Sequence, residues 1–415
     1  MLKFKQHLTE SAAEKDRHLT HIEDAVLEGG VAGTRNAIQF LISLRDMFAD
    51  DGKTLSEARR SGGLILRTKF DGAPALYAGI NPENGKFFVG SKSIFAKNAK
   101  LNYTVKDIRS NHTGGLAEKL ETALKYLPEL GITDIIHGDF MYSRNELKSE
   151  TIDGKKYITF RPNTITYAVP EGTTLARQIL SSRMGIVFHT TYHGSSMSTL
   201  QTHFDVDIGR LRASKNVWYR ENRFTDVTGR ATLTKSENDR LTTILSQAGN
   251  LFRQIPAALL NEIAANETYR IPIMTYYNQK VRAGEHMKAS HVNEIIKFVS
   301  DKYDKQIADA KMPATKAKRN AEKKMVVGWY KKNAANLKLI FQLQNLFIDA
   351  KTMLINKFNM VNDLGTFIHT PEGGYKVTNP EGYVCAWSAG GEAVKLIDRM
   401  EFSRSNFLAT KNWKK

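Results

Sequence analysis

The sequence predicts an α+β protein in which mixed, mainly antiparallel sheets carry a helical N-terminal segment and a large helical insertion. Short apolar runs alternate with turn signals in residues 61–233, and strand-like runs return in residues 361–415. Helical periodicity marks residues 1–60 and 234–360. We therefore expect four segments with these bounds, of which the second and fourth complete one core across the insertion.

The N-terminal segment is predicted to be helical from residue 10 to about residue 58 and to cap the core. Its apolar residues recur at helical spacing on both sides of the Gly29-Gly30 break, at Ile22, Ala25, Val26, Ala37, Ile38, Leu41 and Leu44.

The first part of the core is predicted to contain short strands joined by tight turns. Asn84-Gly85 and Asp153-Gly154 are typical of β-hairpins, and the second joins Lys148–Ile152 to Lys155–Phe160. Residues 115–130 interrupt the strands as one amphipathic helix.

The insertion is predicted to consist of long helices and to be strongly basic between residues 302 and 332. Its basic residues include Lys311, Lys316, Lys318, Arg319, Lys323, Lys324, Lys331 and Lys332. Trp329 and Tyr330 stand beside them. Two interpretations stay open: phosphate neutralisation with base stacking, or a solvated helix face whose aromatic rings turn to the core.

Composition indicates a soluble, globular protein with an anionic polymer as partner. The 415-residue chain contains no run of eighteen apolar residues, so we expect no membrane association. A net charge of +17 and a pI near 9.6 favour nucleic acid. The single cysteine, Cys385, excludes an intrachain disulfide framework and is predicted to be a core thiol.

Lys69-Phe70-Asp71-Gly72 presents a lysine at a strand-to-turn junction between two apolar runs. A lysine amine attacks a phosphate only as a neutral group, so we expect burial, a neighbouring cation or a metal to lower its pKa. Gly72 would let the backbone approach a nucleotide closely. By itself the string also fits an ordinary hairpin turn.

Further motifs follow in the chain, each at the end of a strand-like run or inside one. They are Gly90-Ser91-Lys92-Ser93, His137-Gly138-Asp139-Phe140, Glu381-Gly382-Tyr383-Val384 and Ala393-Val394-Lys395-Leu396. Together with the lysine motif they resemble, in order, motifs I, Ia, III, IV and V of the ATP-dependent ligase and mRNA-capping superfamily. The best local match is to phage-type RNA ligases. The resemblance implies a nucleotidyltransferase (ligase adenylation) core.

The resemblance implies a nucleotide-binding role for each motif. Lys69 would form a lysyl-AMP intermediate with ATP, and Asp71 and Gly72 would hold it beside the nucleotide. Lys92 would donate to sugar or phosphate oxygens.

It also implies a metal and a stacking ring. Asp139 and Glu381 would bind Mg²⁺ beside the nucleotide. Lys395 would stabilise charge on the α-phosphate, and Phe160, in the region corresponding to motif IIIa, would cover the adenine.

Three departures qualify the resemblance. Pro74 stands where many DNA ligases and capping enzymes have arginine, which favours RNA ligase. Ile397 replaces the second lysine of motif V, so either Asp398-Arg399 supplies the cation from a shifted position or one reaction step is weakened. Motif III and motif IV are 242 positions apart, from Asp139 to Glu381, far more than a minimal ligase needs. A rival motif IV at Met184 lies nearer to motif III, but methionine does not bind Mg²⁺.

The N-terminus resembles the leader of internal head proteins of myovirus-type tailed phages, which ends in Leu-x-Glu, here Leu8-Thr9-Glu10. An ordinary helical start is the alternative. Residues 18–47 and 116–160 are also similar to uncharacterised proteins of such phages. This resemblance implies the cytoplasm of an infected bacterial host, or the virion interior, as location.

His189 and His193 are four residues apart, a spacing that on a helix would suit two metal ligands. The flanking residues favour a strand, and the glutamate of the zinc-peptidase pattern is missing. We therefore expect structural or substrate-side histidines.

The predicted function is that of an ATP-dependent polynucleotide ligase that joins RNA rather than DNA ends through a lysyl-AMP intermediate. One alternative is a nucleotidyltransferase that modifies RNA ends or protein without sealing. Another is a non-catalytic, basic nucleic-acid-binding or head-internal phage protein.

Overall fold

The computed structural model describes residues 19–49, 64–204, 206–224, 230–361, 364–370, 374–387 and 393–403. The architecture is α+β, as predicted, with three sheets and a helical layer among the described residues. The predicted phage-type leader at residues 1–10 and the ends of the predicted N-terminal helix lie outside the described residues. None of the described helices is both long and apolar enough to cross a membrane.

The described helices are numbered in chain order. They are α1 (Ala25–Glu28), α2 (Gly30–Phe48), α3 (Val105–Asn111), α4 (Gly114–Tyr126), α5 (Thr174–Ser181), α6 (Lys235–Gln254), α7 (Ala257–Ala265), α8 (Glu267–Ala283), α9 (Val292–Asp309), α10 (Pro313–Lys332) and α11 (Ala334–Phe358).

The described strands are numbered in the same way. They are β1 (Thr20–His21), β2 (Leu64–Lys69), β3 (Ala75–Ile80), β4 (Phe87–Gly90), β5 (Ile135–Ser143), β6 (Lys148–Ile152), β7 (Lys155–Phe160), β8 (Thr166–Pro170), β9 (Met184–His193), β10 (Gln201–His203), β11 (Val217–Glu221), β12 (Gly365–His369), β13 (Tyr375–Val377), β14 (Gly382–Trp387) and β15 (Ala393–Leu396).

The strands form sheets of four, six and five members. The four-stranded sheet has the order β1-β15-β14-β2. The six-stranded sheet has the order β10-β9-β5-β3-β4, with β11 also pairing with β9, and the five-stranded sheet has the order β13-β12-β8-β7-β6. Strands from residues 61–233 and 361–415 therefore pair directly in two sheets, across the long helical segment between them.

The helical layer shares its core with the four-stranded sheet. Leu64 and Leu66 of β2 and Cys385 of β14 belong to the same buried cluster as the apolar faces of α2, α6 and α11. Cys385 is fully buried, which confirms the predicted core thiol. Because strand side chains alternate between faces, packing of Leu64 and Leu66 on the helices turns Arg67 and Lys69 to the opposite face.

The four-stranded and six-stranded sheets meet through residues 222–224. The Thr68 amide donates to the Asn222 carbonyl at 2.7 Å, and the Phe224 amide donates to the Leu66 carbonyl at 2.9 Å. On the other side, the Asn222 amide donates to the Phe188 carbonyl of β9 at 3.2 Å. This short segment thereby joins β2 to β9 and brings the ends of two sheets together.

Several local predictions are confirmed. Asn84-Gly85 lies in the turn between β3 and β4, and Asp153-Gly154 joins β6 to β7 in an antiparallel hairpin. The helix predicted over residues 115–130 is α4 with a following 3₁₀ turn, Leu127–Leu130. His189 and His193 lie in β9, a strand, as the flanking residues indicated.

Candidate functional site where two sheets meet

The centre of the site is an ion pair between Lys69 and Glu381. Lys69 ends β2, and Gly382 of β14 lies opposite it in the antiparallel register. The Lys69 Nζ donates to Glu381 Oε2 at 2.6 Å, and the two side chains are 30% and 11% exposed. The structure thus brings together two predicted site residues that are 312 positions apart in the chain.

Gly382 makes this pairing possible. Its φ of +147° lies in a region that disfavours other residues, and an added Cβ would lie 2.4 Å from the Leu396 carbonyl oxygen. The missing side chain lets β14 begin directly against the end of β15. Glu381 is thereby placed over the end of β2.

Asp139 reaches the same place from the six-stranded sheet. It lies on β5 opposite Ala75 of β3. Ala75 is the first residue after the turn that follows Lys69. A Cβ on Gly72 would lie 2.4 Å from the Asp139 Cβ and 3.0 Å from the Met141 Sδ. Gly72 therefore lets the lysine turn pack closely against Asp139 and its strand, β5.

Asp71 holds the turn in place and does not face the centre of the site. Its carboxylate accepts hydrogen bonds at 2.7 Å from the Asn163 amide group and from the backbone amides of Thr164 and Ile165. The Asp71 side chain was predicted to hold the nucleotide. In the structure it is buried and joins the lysine turn to the loop between β7 and β8.

Lys395 lies on the same sheet face as Lys69. It pairs with Val384 of β14 and with His21 of β1, and Val384 in turn pairs with Arg67 of β2. Register partners share a sheet face, so these residues form one row beside Lys69. Burial lowers the pKa of Lys395, and the nearby Lys69 charge lowers it further.

The charges at the centre influence one another strongly. Burial acts to lower the pKa of Lys69, but the carboxylates of Glu381 and Asp139 outweigh it, and the pKa is raised. The expectation of a lowered lysine pKa is therefore wrong for this arrangement. Burial raises the pKa of Asp139 to about 7, with Glu381 adding to the rise and Lys69 opposing it.

The donor set fits Mg²⁺. Two carboxylates approach Lys69 from different sheets, and burial raises the pKa of Glu381 as well as that of Asp139. A cation between them would favour their ionised forms. Among the described residues there is no cluster of three or more histidine, cysteine or acidic side chains able to hold a metal. Mg²⁺ needs only one or two carboxylates when substrate phosphates complete its shell.

Lys92 lies at the same end of the six-stranded sheet as Asp139. It begins the 3₁₀ helix Lys92–Phe95 directly after β4, and its side chain is exposed. Tyr77 of β3 pairs with Gly90 on one side and with His137 on the other. Lys92 therefore follows β4 at the end of the sheet where Asp139 lies on β5.

Phe160 does not occupy the predicted position. It is 2% exposed, and its ring packs against Tyr142 and Tyr167 at centroid distances of 4.8 and 5.5 Å. Neighbouring rings cover it, so the prediction that Phe160 stacks on adenine is wrong for this structure. It supports Tyr167, whose hydroxyl accepts a hydrogen bond from the Asp71 amide at 2.7 Å.

Arg399 is not available as the shifted cation of motif V. Its guanidinium donates to both carboxylate oxygens of Asp24, at 2.8 and 3.1 Å, and to Asn278 at 2.9 Å. It also lies over the Tyr277 ring at 4.4 Å. Ile397 is 4% exposed and belongs to the core.

Sequence reasoning missed Arg67 and the place of His189. Arg67 is 2% exposed and stands two residues before Lys69, so strand alternation would have placed it on the same face. His189 Nε2 lies 3.9 Å from Asp139 Oδ2, and burial, with Lys69 and Arg67 nearby, lowers its pKa to about 3. This contact crosses the β5–β9 pair, whose register is irregular at His137, and no sequence pattern indicates it.

Fold and site together define an α+β protein in which a lysine pairs with Glu381 of one sheet, while the charge of Asp139 from a second sheet raises its pKa. The chain belongs to a family of unknown function (DUF6267), whose family model matches residues 16–411. Comparisons with curated proteins and with solved structures gave no match.

Proposed function

We propose that this protein is an ATP-dependent polynucleotide ligase with a nucleotidyltransferase core, and that it joins RNA rather than DNA ends. The contact of Lys69 Nζ with Glu381 at 2.6 Å carries the proposal. It unites the proposed nucleophile with a residue from the far end of the chain. The charge of Asp139 acts to raise the pKa of Lys69, and the charge of Lys395 acts to lower the pKa of Glu381. Both effects support the assignment of these residues to one site.

The first reaction step would use Lys69 as nucleophile. Its neutral ε-amine attacks the α-phosphorus of ATP, a P–N bond forms, and the P–O bond to the leaving pyrophosphate breaks. The amine must lose a proton, and Glu381, which already accepts a hydrogen bond from Nζ, is placed to take it. Lys395, on the same sheet face, offsets charge on the phosphate oxygens.

The later steps transfer AMP and join the ends. A 5′-phosphate oxygen attacks the α-phosphorus and releases Lys69, and a 3′-hydroxyl then attacks the activated 5′-phosphate and releases AMP. Mg²⁺ bound by Asp139 and Glu381 would neutralise phosphate charge during these transfers.

A second candidate is a nucleotidyltransferase that modifies RNA ends or protein without sealing. Buried Ile397 and the pairing of Arg399 with Asp24 favour it, because both positions that could supply a second motif V cation are committed to the core. A non-catalytic nucleic-acid-binding or head-internal phage protein is the third candidate.

The test is covalent labelling of the full chain with α-labelled ATP and Mg²⁺, comparing the wild type with Lys69→Ala and with Lys86→Ala. Lys86 is exposed in the β3–β4 turn and serves as the matched control. We expect covalent label that survives denaturing electrophoresis and alkali on the wild type and on Lys86→Ala, and none on Lys69→Ala. Circular dichroism would check that each variant is folded.

Absence of label from the wild type with both ATP and GTP would overturn the proposal and favour the binding protein. If label is found, nicked duplexes and single-stranded RNA separate the first two candidates. Sealed product supports the ligase, and AMP transfer without sealing supports the second candidate.

A further inference from the structure

The helix α10 carries the densest positive charge in the described part of the chain. Its residues Pro313–Lys332 include seven basic side chains and a single acidic one, Glu322. Two of the cations are paired within the helical layer, Arg319 with Glu322 at 2.6 Å and Lys323 with Asp304 at 2.5 Å. The other five are exposed: Lys316, Lys318, Lys324, Lys331 and Lys332.

The aromatic residues of this helix anchor it and do not face solvent. Trp329 stacks on Tyr269 with ring centroids 4.0 Å apart, and its Nε1 donates to Glu262 at 3.0 Å. The Tyr330 hydroxyl donates to the Tyr269 carbonyl. Of the two interpretations of this segment, the structure therefore contradicts base stacking by Trp329 and Tyr330.

Because these rings hold one side of α10 against the helical layer, the opposite side of the helix faces solvent. Lys316 and Lys324 are eight residues apart and share a side of the helix, and Lys331 lies seven residues further on. From Lys316 to Lys331 the helix rises about 22 Å, at 1.5 Å per residue, which is enough to run beside several consecutive phosphates. We define Lys316, Lys324 and Lys331 as the lysine stripe.

The arrangement has an electrostatic cost that a bound anion would remove. Lys316 lies in the first turn, where the helix dipole disfavours a cation. The first turn contains no acidic residue to offset it.

We propose that the lysine stripe binds the phosphate backbone of a single-stranded polynucleotide outside the reaction centre. The choice of RNA as polynucleotide rests on the proposed function. A membrane surface is the less suitable partner, because the apolar side of the helix, with Val326, Trp329 and Tyr330, is already buried against the helical layer.

The test measures RNA affinity of the full chain as a function of salt. A 5′-phosphorylated, fluorescently labelled 20-nucleotide RNA is titrated with the wild type, with Lys316→Gln/Lys324→Gln/Lys331→Gln, and with a matched control. The control is Lys148→Gln/Lys155→Gln/Lys156→Gln, which removes the same charge from exposed positions on the β6–β7 hairpin.

Each lysine–phosphate contact contributes about 0.7 to the slope of log K against log salt for a single strand. We expect the stripe variant to lose a slope of about 2 and to bind RNA at least tenfold more weakly near 100 mM salt, with melting temperature and AMP labelling unchanged. The hairpin control should behave as the wild type.

Equal slopes for the stripe variant and the wild type, or equal losses in stripe variant and control, would overturn the proposal. So would failure of the wild type to bind RNA, or loss of binding to vesicles of anionic lipid with RNA binding retained. If the wild type is labelled with AMP but the stripe variant keeps the wild-type salt slope, only the RNA-binding role of the stripe is refuted. If the stripe variant loses salt slope but the wild type is never labelled, only the ligase proposal is refuted.

Discussion

At the scale of single residues, the site depends on two glycines as well as on its charged residues. Lys69, Asp139 and Glu381 meet because Gly72 and Gly382 allow three strands to come close. The two glycines occupy different backbone conformations but serve the same purpose.

Gly72→Ala is expected to abolish AMP labelling and to lower the free energy of unfolding by about 1–3 kcal/mol, because its Cβ would overlap the Asp139 Cβ at 2.4 Å. Labelling and urea unfolding would measure both effects. Gly249→Ala is the control: nothing lies within 4 Å of its Cβ, and alanine in a helix should stabilise α6 slightly. Normal labelling by Gly72→Ala would refute the assigned contact.

At the scale of elements, the charged side chains behind the site tie the helical layer to the sheet. Lys351 of α11 donates to both carboxylate oxygens of Glu23 at 2.8 Å, and both side chains are essentially unexposed. Glu23 follows β1, which pairs with the strand of Lys395. The helix therefore holds the short strand that borders the motif V lysine.

Lys351→Met should lower the free energy of unfolding by about 3–5 kcal/mol, because it leaves the Glu23 carboxylate buried without its partner. Lys351→Met combined with Glu23→Gln should cost clearly less than the sum of the single changes. Denaturant unfolding of the four proteins in a double-mutant cycle measures the coupling. Simple additivity would mean that the pair contributes no coupling energy.

The same pair predicts a dependence of stability on pH. Burial acts to raise the pKa of Glu23, but Lys351, His21 and Arg399 together outweigh it, and the pKa falls from 4.5 to about 2. The unfolded chain then binds more protons between these values, so this stabilisation is present above pH 4.5 and is lost as the pH falls toward 2. It amounts to a change on the order of 3 kcal/mol.

Unfolding free energies of the wild type and Glu23→Gln, measured from pH 6 to pH 2, would test this. The difference between the two proteins should shrink as the pH falls below 4.5. A difference that stays constant across that range would contradict the assigned shift.

At the scale of the whole molecule, the helices and the four-stranded sheet form one packing unit. Residues from α2, α6 and α11 bury the face of β2 that carries Leu64 and Leu66. The strands of this sheet come from widely separated parts of the chain, near residues 20, 65, 385 and 395. The sheet is complete only when all these parts are present.

Residues 61–233 expressed alone are therefore expected not to fold cooperatively, since β2 would lose both β14 and its helical cover. The full chain should unfold its helices and this sheet in one transition. Thermal unfolding followed by circular dichroism distinguishes the two proteins. A sharp transition in the 61–233 fragment would show that its core is independent of the helices.

The sequence by itself determined the features that depend on neighbouring residues. The hairpin turns, the α4 helix, the strand at His189 and the core position of Cys385 follow from local pattern and composition, and the structure agrees with each. Motif order also singled out Lys69, Asp139, Glu381 and Lys395, which the structure brings to one place.

Tertiary structure decided which atoms these residues meet. Phe160 and Arg399 looked suitable for a ligand by residue type, but packing buried one among aromatic rings and paired the other with Asp24. The pKa of Lys69 went up because two carboxylates from distant strands meet it. Local pattern specifies backbone conformation and the buried face, whereas contacts between distant residues depend on strand register and sheet order, which a single sequence does not display.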